Sequence, residues 1–461
     1  MSHTENAKSG SNQIDMINGG LLFKLWIFAL PLAASSILQQ LFNSVDVAVV
    51  GRFASSQAQA AVGCNGPVIN LLINLFVGIS VGSNVVIATL IGRKRYDKVR
   101  TAVHTSITLA FISGLFLLVT GMVIARPILT FMDTPEDVME HAVLYLRIYF
   151  LGMPFIMLYN FGAAILRSVG DTKRPLLCLI ISGFINAGLN LFLVIVFKLG
   201  VAGVAIATVI SNVISSGMVL YFLTHEQGIL KLEFCRLGIA KWQLVRILRV
   251  GVPAGLQSVV FSISNVFIQT ALNGYGADAV AGSAVALNYE YFTYFVIAAF
   301  NQATVTFTSQ NFGAREYGRC KRIFRLCMVS SLLVSGLMSL VFMWQQTFFA
   351  SLFSPKPEVI HYALIRMSVV LIYSCLSSTY EISGAALRGI GFSMTPAVLT
   401  VFGTCVFRLV WIYTVCQAVP GIDTLLRVYP VSWVITGAAV TGAYFVLRRK
   451  AFGRAAEVNH G

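Results

Sequence analysis

Three carboxylates lie well inside long apolar stretches of the chain, although the sequence holds only 18 acidic residues among 461. They are Asp46, Glu290 and Glu381. An ionised carboxylate is costly in such surroundings, so it is retained where it binds a cation, carries a proton or pairs with a buried Arg or Lys. The first two roles are functional and the third is structural, and the neighbouring residues must separate them.

Asp46 has polar neighbours at helical spacing. Ser35, Gln39, Asn43 and Asp46 fall on one stripe of the first apolar stretch. A stripe of this kind is excluded from lipid. It predicts that the first helix turns this face toward the interior of a bundle or toward a water-filled cavity.

Two other stretches offer oxygen atoms that could complete a shell around Asp46. Asn186 and Asn190 are four residues apart, and Thr208 lies one helical turn after Val204. A carboxylate, two amide oxygens, a hydroxyl and a backbone carbonyl suit a hard monovalent cation such as Na⁺. The alternative is structural, because asparagine pairs in membrane helices also bridge neighbouring helices.

The second half of the chain predicts another polar cavity. Its candidate substrate or proton site adds further polar residues to Gln39 and Asn43 of the first helix. These are Gln257, Asn265, Glu290, Tyr294, Ser377, Glu381 and Arg408. A pair of Glu381 with Arg408 would be structural, whereas an unpaired Glu381 would carry protons or hold a cationic substrate. Both alternatives stay open at this stage.

The composition places these residues in an integral membrane protein. Hydrophobic residues make up 57% of the chain and charged residues 11%, with a mean hydropathy of +0.79, whereas a soluble domain carries about 25% charged residues. The eight cysteines show no metal-ligand spacing. Twelve stretches are long enough to span a bilayer, namely 25–50, 66–92, 101–125, 139–166, 175–197, 201–224, 244–272, 280–311, 322–350, 359–387, 396–417 and 428–447.

The positive residues divide unequally between the two sides of these spans. Twenty-five of the 33 Lys and Arg fall on the side that holds both termini, and five on the other. The remaining three, Arg147, Arg366 and Arg408, lie within spans. The asymmetry predicts a multi-pass membrane protein with both termini in the cytoplasm. Because the net charge of +15 follows from topology, it does not indicate a nucleic-acid partner.

The chain also repeats itself about 221 residues later. Ala164–Gly170 returns as Ala385–Gly391, and Pro31 corresponds to Pro253 one residue out of register. A long internal repeat in an apolar chain is typical of transporters built from two similar bundles. The predicted organisation is a frayed polar cytoplasmic tail, an N-lobe of six helices, a cytoplasmic linker, a C-lobe of six helices and a second tail, over 1–20, 21–224, 225–242, 243–450 and 451–461.

Several motifs carry a resemblance that extends from about residue 21 to 450. They are Pro31…Gln39-Gln40…Val45-Asp46…Val50-Gly51-Arg52, Gly152-Met153-Pro154-Phe155, Leu166-Arg167-Ser168-Val169-Gly170-Asp171-Thr172-Lys173, Ser309-Gln310-Asn311-Phe312-Gly313-Ala314 and Ala386-Leu387-Arg388-Gly389. With these motifs the sequence resembles the multidrug and toxic compound extrusion (MATE) family, bacterial type. The resemblance implies two six-helix lobes that alternate between V-shaped states. It also implies export driven by Na⁺ or H⁺, with a cation site at Asp46, Asn186, Asn190 and Thr208.

The second half departs from one branch of that family. The branch with a cation site in the C-lobe carries acids on helices seven and ten. Phe261 and Ser377 occupy roughly those places here, and Glu381 lies one turn further along. Glu290 has counterparts in some eukaryotic relatives. The resemblance therefore leaves the choice of coupling ion open.

The leading prediction is an all-α secondary active exporter of amphipathic, often cationic, organic molecules, acting as a monomer in the lipid bilayer. No cofactor is expected beyond the coupling ion. The alternative is a flippase for a lipid-linked precursor, whose phosphates would require a cavity lined with Arg and Lys. The chain offers Arg408 against three carboxylates, which favours cationic or neutral cargo. An enzyme or a channel finds no support, because HExxH, GxSxG, GxxxxGK[ST] and TVGYG motifs are missing from the sequence.

Overall fold

The computed structural model describes residues 13–132 and 134–457. Every regular element in these residues is helical, which confirms the predicted all-α class. The first half holds seven helices, namely α1 Leu21–Phe53, α2 Ser56–Gly92, α3 Tyr96–Phe131, α4 Glu136–Leu151, α5 Met153–Ser168, α6 Lys173–Leu191 and α7 Gly200–Thr224. A short π-helical segment, Phe192–Val196, directly follows α6.

The second half repeats this order with more interruptions. Its helices are α8 Lys241–Asn273, α9 Ala277–Gly313, α10 Tyr317–Trp344, α11 Gln346–Ser351, α12 Pro357–Val369, α13 Ser377–Gly389, α14 Met394–Thr400, α15 Phe407–Tyr413, α16 Val415–Ala418, α17 Ile422–Leu426 and α18 Val428–Glu457. A 3₁₀ segment, Leu371–Leu376, joins α12 to α13, and a π-helical segment, Val401–Val406, joins α14 to α15.

The internal repeat extends to the backbone itself. Helix α9 begins and ends 221 residues after α2, and α1 and α8 have the same length of 33 residues. Left-handed backbone recurs at the same interval. Lys94 (φ 56°) is matched by Arg315 (φ 65°), and Gly170 (φ 88°) by Gly391 (φ 95°). The two halves therefore share their turn geometry as well as their hydrophobic pattern.

Each of the twelve predicted spans coincides with a helix or a run of consecutive helices. By length and composition, ten helices of the described residues can cross a membrane, or eleven if α4 and α5, which meet at 48°, form one bent span. The bend lies at Gly152, before the proline in the first turn of α5. The remaining predicted span is α9. It has 37 residues but is not apolar enough to be counted as a membrane span by composition, and many of its polar residues are buried.

The contacts within the chain define two compact units. The described residues of Met1–Asp15 and Ala34–Gly255 form unit 1, and those of Met16–Ala33 and Leu256–Gly461 form unit 2. One of the three divisions, between Asp15 and Met16, precedes α1, and the other two fall inside a helix, two residues after Pro31 in α1 and two residues after Pro253 in α8. A proline inside a helix removes one backbone hydrogen bond, so these two divisions lie beside a weakened turn.

The segment before α1 is anchored where the structure describes it. The predicted tail was expected to fray over 1–20. Residues 1–12 lie outside the described residues, but Met16 is buried. Its carbonyl accepts hydrogen bonds from Asn311 Nδ2 (3.0 Å) and Arg319 Nη2 (3.2 Å). Around Met16 this segment is therefore held through its backbone, because polarity of sequence does not exclude backbone hydrogen bonding.

The segment between α7 and α8 is also held, on unit 1. Leu230 and Leu232 join the hydrophobic core of that unit, and His104 Nε2 accepts from the Glu233 backbone N–H at 3.1 Å. Arg174 pairs with Glu226 at 2.6 Å and with Asp171 at 3.1 Å. Burial raises the pKa of Asp171, and the adjacent Arg174 opposes that rise.

Two glycine pairs allow a close helix contact in unit 1. Gly78 and Gly82 on α2 face Gly251 and Gly255 on α8, and a Cβ atom on any of the four would overlap the facing backbone. Small residues four apart allow helix backbones to approach closely in membranes. Gly78 and Gly82 lie in the predicted span 66–92, and α2 runs through this span without a break.

We expect Gly78→Ala to lower the free energy of unfolding by about 1–3 kcal/mol, because the facing backbone must move. Gly66→Ala in the same helix is the matched control. Gly66 has no neighbour within 4 Å of its missing Cβ, so alanine should be neutral or stabilise by about 0.5–1 kcal/mol. Thermal unfolding of both variants in detergent measures the difference, and equal unfolding temperatures would contradict the predicted close contact.

Candidate functional site

The Asp46 carboxylate is buried in unit 1 at the meeting point of α1, α6 and α7. Asp46 is only 9% exposed, and Asn190 Nδ2 donates a short hydrogen bond to its Oδ1. No ion pair of Asp46 occurs in the described part of the chain. A buried carboxylate is therefore stabilised by a neutral amide rather than by a cationic side chain.

The amides and hydroxyls around Asp46 form a continuous chain. Asn190 Nδ2 also donates to Asn186 Oδ1 (3.2 Å), and Asn186 Nδ2 lies 3.5 Å from Thr208 Oγ1. Thr208 Oγ1 donates in turn to the Val204 carbonyl at 3.0 Å. The structure brings together the five residues predicted for the cation site: Asp46, Asn186, Asn190 and Thr208, which the resemblance implies, and Val204, which lies one helical turn before Thr208.

This hydrogen-bonded network around Asp46 contains one oxygen without a partner. Asn190 Oδ1 is buried and has no hydrogen-bond partner among the described residues. An orphaned buried acceptor is rare in folded proteins, since its desolvation is not compensated. The oxygen atoms around Asp46 thus include one carboxylate and one unused amide oxygen. This set fits a hard monovalent cation better than it fits a closed network of hydrogen bonds between helices.

Three further residues near Asp46 were not identified from the sequence. Ser211 Oγ lies 3.5 Å from Asn186 Nδ2. Tyr145 and Tyr149 of α4 lie near enough to interact electrostatically with Asp46. Ser211 could have been found from its position three residues after Thr208 on the same helix. The tyrosines carry no such signal, because about 100 residues separate them from Asp46 in the sequence.

Gln39 and Asn43 behave differently from their neighbour Asp46. Both are exposed on α1, whereas Asp46 is buried. The polar stripe of the first helix therefore divides into a buried end at Asp46 and an exposed end toward Gln39. The structure does not bring Gln39 and Asn43 into contact with the residues around Asp46, which we call the cation cluster.

In unit 2 the predicted polar residues separate into distinct groups. Glu290 of α9 forms a two-point ion pair with Arg366 of α12, with Nε–Oε1 and Nη2–Oε2 distances of 2.7 and 3.0 Å. Their side chains are 15% and 3% exposed. The structure thus shows, for Glu290, the pairing with a buried arginine that was one of the roles considered.

Glu381 of α13 lies apart from Arg408. Asn301 Nδ2 of α9 donates a short hydrogen bond to Glu381 Oε2 and a second bond of 3.2 Å to its backbone carbonyl. Arg388 interacts with Glu381 electrostatically from two turns further along the same helix. Tyr294 and Tyr380 also interact electrostatically with Glu381. The possible pair of Glu381 with Arg408 is absent from the described ion pairs.

Arg408 instead binds neutral groups. Its Nη1 donates to Asn265 Oδ1 of α8 (3.1 Å) and its Nε to Ser432 Oγ of α18 (3.3 Å). Its guanidinium carbon lies 4.6 Å from the ring centre of Tyr429 and 5.2 Å from that of Phe261. Asn265 and Arg408 were both predicted as site residues, and the structure places them in contact.

The last two predicted residues have local roles. Ser377 is buried and donates to the Ser374 carbonyl at 2.7 Å. Gln257 of α8 has a buried Oε1 without a hydrogen-bond partner among the described residues. In the same residues no group of three or more His, Cys, Asp or Glu side chains could hold a metal ion.

The comparisons with known proteins agree with this architecture. A family profile described as MatE matches residues 31–192 and 253–414, so each match covers one copy of the repeat. The chain is 30% identical over 383 residues to a probable multidrug resistance protein YoeA of Bacillus subtilis strain 168, over 82% of this chain and 83% of that protein.

Two other relatives extend the likeness. A probable multidrug resistance protein NorM of Thermotoga maritima is 25% identical over 389 residues, which is 83% of this chain and 82% of that protein. The solved outward-facing conformation of a multidrug resistance MATE family transporter of the MOP superfamily has a TM-score of 0.87 at 22% identity. That match covers 97% of this chain and 99% of the solved one, and it shows a shared fold.

We predict that Glu290→Gln lowers the free energy of unfolding by about 3–5 kcal/mol, because it leaves the buried Arg366 without its counter-charge. The double variant Glu290→Gln with Arg366→Gln should recover much of that loss. Glu140→Gln is the matched control, since Glu140 pairs with Arg126 on the surface, with side chains 74% and 53% exposed, and should change stability by about 0–1 kcal/mol. A stable Glu290→Gln single variant in thermal unfolding would show that the pair is not structural.

Proposed function

This chain belongs to the multidrug and toxic compound extrusion family of multidrug efflux transporters, and we propose that it is an antiporter that exports amphipathic, often cationic, organic molecules. Inward flow of Na⁺ or H⁺ drives the export through alternating access of two lobes. The observation that carries this proposal is the Asp46 carboxylate, which is buried, hydrogen-bonded by Asn190 and without a cationic partner among the described residues.

The Asn190 amide is the moving part of the proposed site. Its Nδ2 faces Asp46 and Asn186 while its Oδ1 has no partner among the described residues. A cation beside Asp46 repels an N–H donor and attracts an oxygen. Binding of Na⁺ would therefore turn the amide over, so that Oδ1 joins the Asp46 carboxylate, Asn186 Oδ1 and Thr208 Oγ1.

A proton would act at the same carboxylate. Protonation of Asp46 removes the charge that the Asn190 N–H stabilises and adds an O–H donor. That donor has an acceptor within the cluster once the Asn190 amide turns over. Na⁺ and H⁺ are thus competing ligands for one group, and the residues present suit either coupling ion.

Coupling to export requires the ion and the cargo to prefer different conformations. A ligand shifts a conformational equilibrium only by its unequal affinity for the two states, and the effect is reciprocal for binding. Asp46 lies in the second part of α1, which belongs to unit 1, while the first part belongs to unit 2. A change in the charge of Asp46 therefore acts on a helix that contributes to both units.

The charge balance bears on the flippase alternative. Of the buried arginines of unit 2, Arg366 pairs with Glu290 and Arg388 interacts electrostatically with Glu381, which leaves Arg408 without a carboxylate partner among the described residues. A lipid-linked precursor with several phosphate charges requires more. We therefore place the flippase second, and we propose that the protein acts as a monomer in the bacterial cytoplasmic membrane, with no nucleic-acid partner and no enzymatic activity.

We expect Asp46→Asn to reduce gradient-driven transport of tetraphenylphosphonium about tenfold or more, because the asparagine amide neither binds a proton nor matches the charge of Na⁺. Binding of the same probe without a gradient should persist. The measurement is flux in proteoliposomes with Na⁺ and H⁺ gradients imposed separately. Asp423→Asn, at an exposed acid, is the control and should transport normally. Full gradient-driven flux by the Asp46→Asn variant would refute the proposed coupling.

A second variant separates an ion ligand from a helix bridge. Asn190→Ala removes the orphaned oxygen, so it should weaken stabilisation by Na⁺, seen as the rise in unfolding temperature that NaCl produces over choline chloride. Cargo affinity in choline chloride should change little. Asn70→Ala, at an exposed asparagine of the same unit, should leave both quantities unchanged. Equal loss of cargo affinity with and without Na⁺ would mean that Asn190 only joins helices.

A further inference from the structure

Arg408 is a buried cation whose charge the protein does not neutralise. The residue is 1% exposed, and its hydrogen-bond acceptors, Asn265 and Ser432, are neutral. Its Nη2 is buried and has no partner among the described residues. A guanidinium stays protonated in proteins, so both the charge and an unused pair of N–H donors persist at this position.

The other buried charges of unit 2 are balanced. Arg366 meets both carboxylate oxygens of Glu290. Glu381 is capped by Asn301 and faces Arg388. From the sequence, three buried carboxylates and one arginine, Arg408, predicted a cavity that attracts cations. The pairing in the structure reverses that inference for unit 2, because the charge left over is positive.

The internal repeat gives this position a meaning. Asn265 lies 222 residues after Asn43, which is the offset that relates Pro253 to Pro31. Tyr429 and Ser432 lie 221 residues after Thr208 and Ser211 of the cation cluster. The residues around Arg408 therefore come from the helices of unit 2 that correspond to α1, α6 and α7 of unit 1. Corresponding groups of helices thus hold a lone acid in one unit and a lone base in the other, although the two residues are not at matching positions of the repeat.

The backbone marks both positions in the same way. A π-helical segment, Phe192–Val196, begins two residues after Asn190, and another, Val401–Val406, ends two residues before Arg408. Single π-helical turns cost stability and occur often at functional sites. Their presence beside both lone charges argues that each charge is held for binding.

We propose that Arg408, with Asn265 and Ser432, forms a binding position for a single negatively charged group, flanked by the rings of Phe261 and Tyr429. The group is either the carboxylate of an amphipathic substrate or an inorganic anion such as chloride. In the first case, which rests on the proposed export function, the substrate range includes anionic and zwitterionic amphiphiles. Asn265 is only half-buried, so the position lies one side chain away from accessible surface.

A purely structural role explains less. The two rings attract the guanidinium through cation–π contacts, but such contacts are weaker than the penalty for burying an unpaired charge. A structural arginine would also be expected to use Nη2. Burial of a lone cation with free donors is explained once an anion binds there, because the ligand supplies both the missing charge and the missing acceptor.

The test compares two ligands of the same shape in detergent-solubilised protein. The probes are 4-phenylbutyrate and its uncharged amide, 4-phenylbutyramide. The wild type should bind the carboxylate about tenfold or more tightly than the amide, as a charge-assisted hydrogen bond implies. Arg408→Gln should lose this preference, whereas Arg427→Gln, at an exposed arginine of the same unit, should keep it. Without ligand, Arg408→Gln should unfold at the same temperature as the wild type or higher.

Chloride separates the two sources of the anion. The position is an inorganic anion site if two results coincide. Chloride must stabilise the wild type but not Arg408→Gln, and 4-phenylbutyrate and its amide must bind the wild type equally. A wild type that prefers neither carboxylate nor chloride would overturn the proposal, as would an Arg408→Gln variant that unfolds early and keeps wild-type binding preferences. Tetraphenylphosphonium transport by the wild type is measured in parallel. Its absence would count against the export function and not against the anion position.

Discussion

Few charges are buried in this protein, and each one must find a partner, because an unpaired charge away from water is among the most expensive features a fold can contain. Glu290 meets this constraint with Arg366, and Glu381 meets it with Asn301 and Arg388. Asp46 and Arg408 have only neutral partners among the described residues. The two exceptions are where a ligand of opposite charge would contribute most to stability.

The repeat explains how such exceptions arise. One backbone, with matched helix bounds and matched left-handed turns, serves both halves of the chain. Its side chains have diverged at single positions. Glycine pairs bring α2 and α8 together in unit 1, while the residues 221 positions after Gly78 and Gly82 are alanines. The Asp46 and Arg408 clusters have diverged in the sign of their charge on corresponding helices.

The sequence was sufficient for features that depend on local pattern or on the repeat. The spans follow from hydropathy, and the residues around Asp46 follow from helical spacing together with the family resemblance. The partners of the acids in unit 2 could not be predicted in this way. Glu290 and Arg366 are 76 residues apart, and Asn301 and Glu381 are 80 apart, so their pairing depends on how helices rotate against one another. The anchored segment around Met16 was missed because its hydrogen bonds use backbone carbonyls, which every sequence contains.

The central claim is that Asp46 is the group on which Na⁺ and H⁺ compete. It is tested most directly by equilibrium binding of radioactive ²²Na⁺ to the purified protein at several pH values, in wild type and in the Asp46→Asn variant. The account predicts saturable binding to the wild type that weakens as pH falls, with protons released when Na⁺ is added to partly protonated protein, and no saturable binding to the variant. Saturable binding of ²²Na⁺ to Asp46→Asn with wild-type affinity would contradict it.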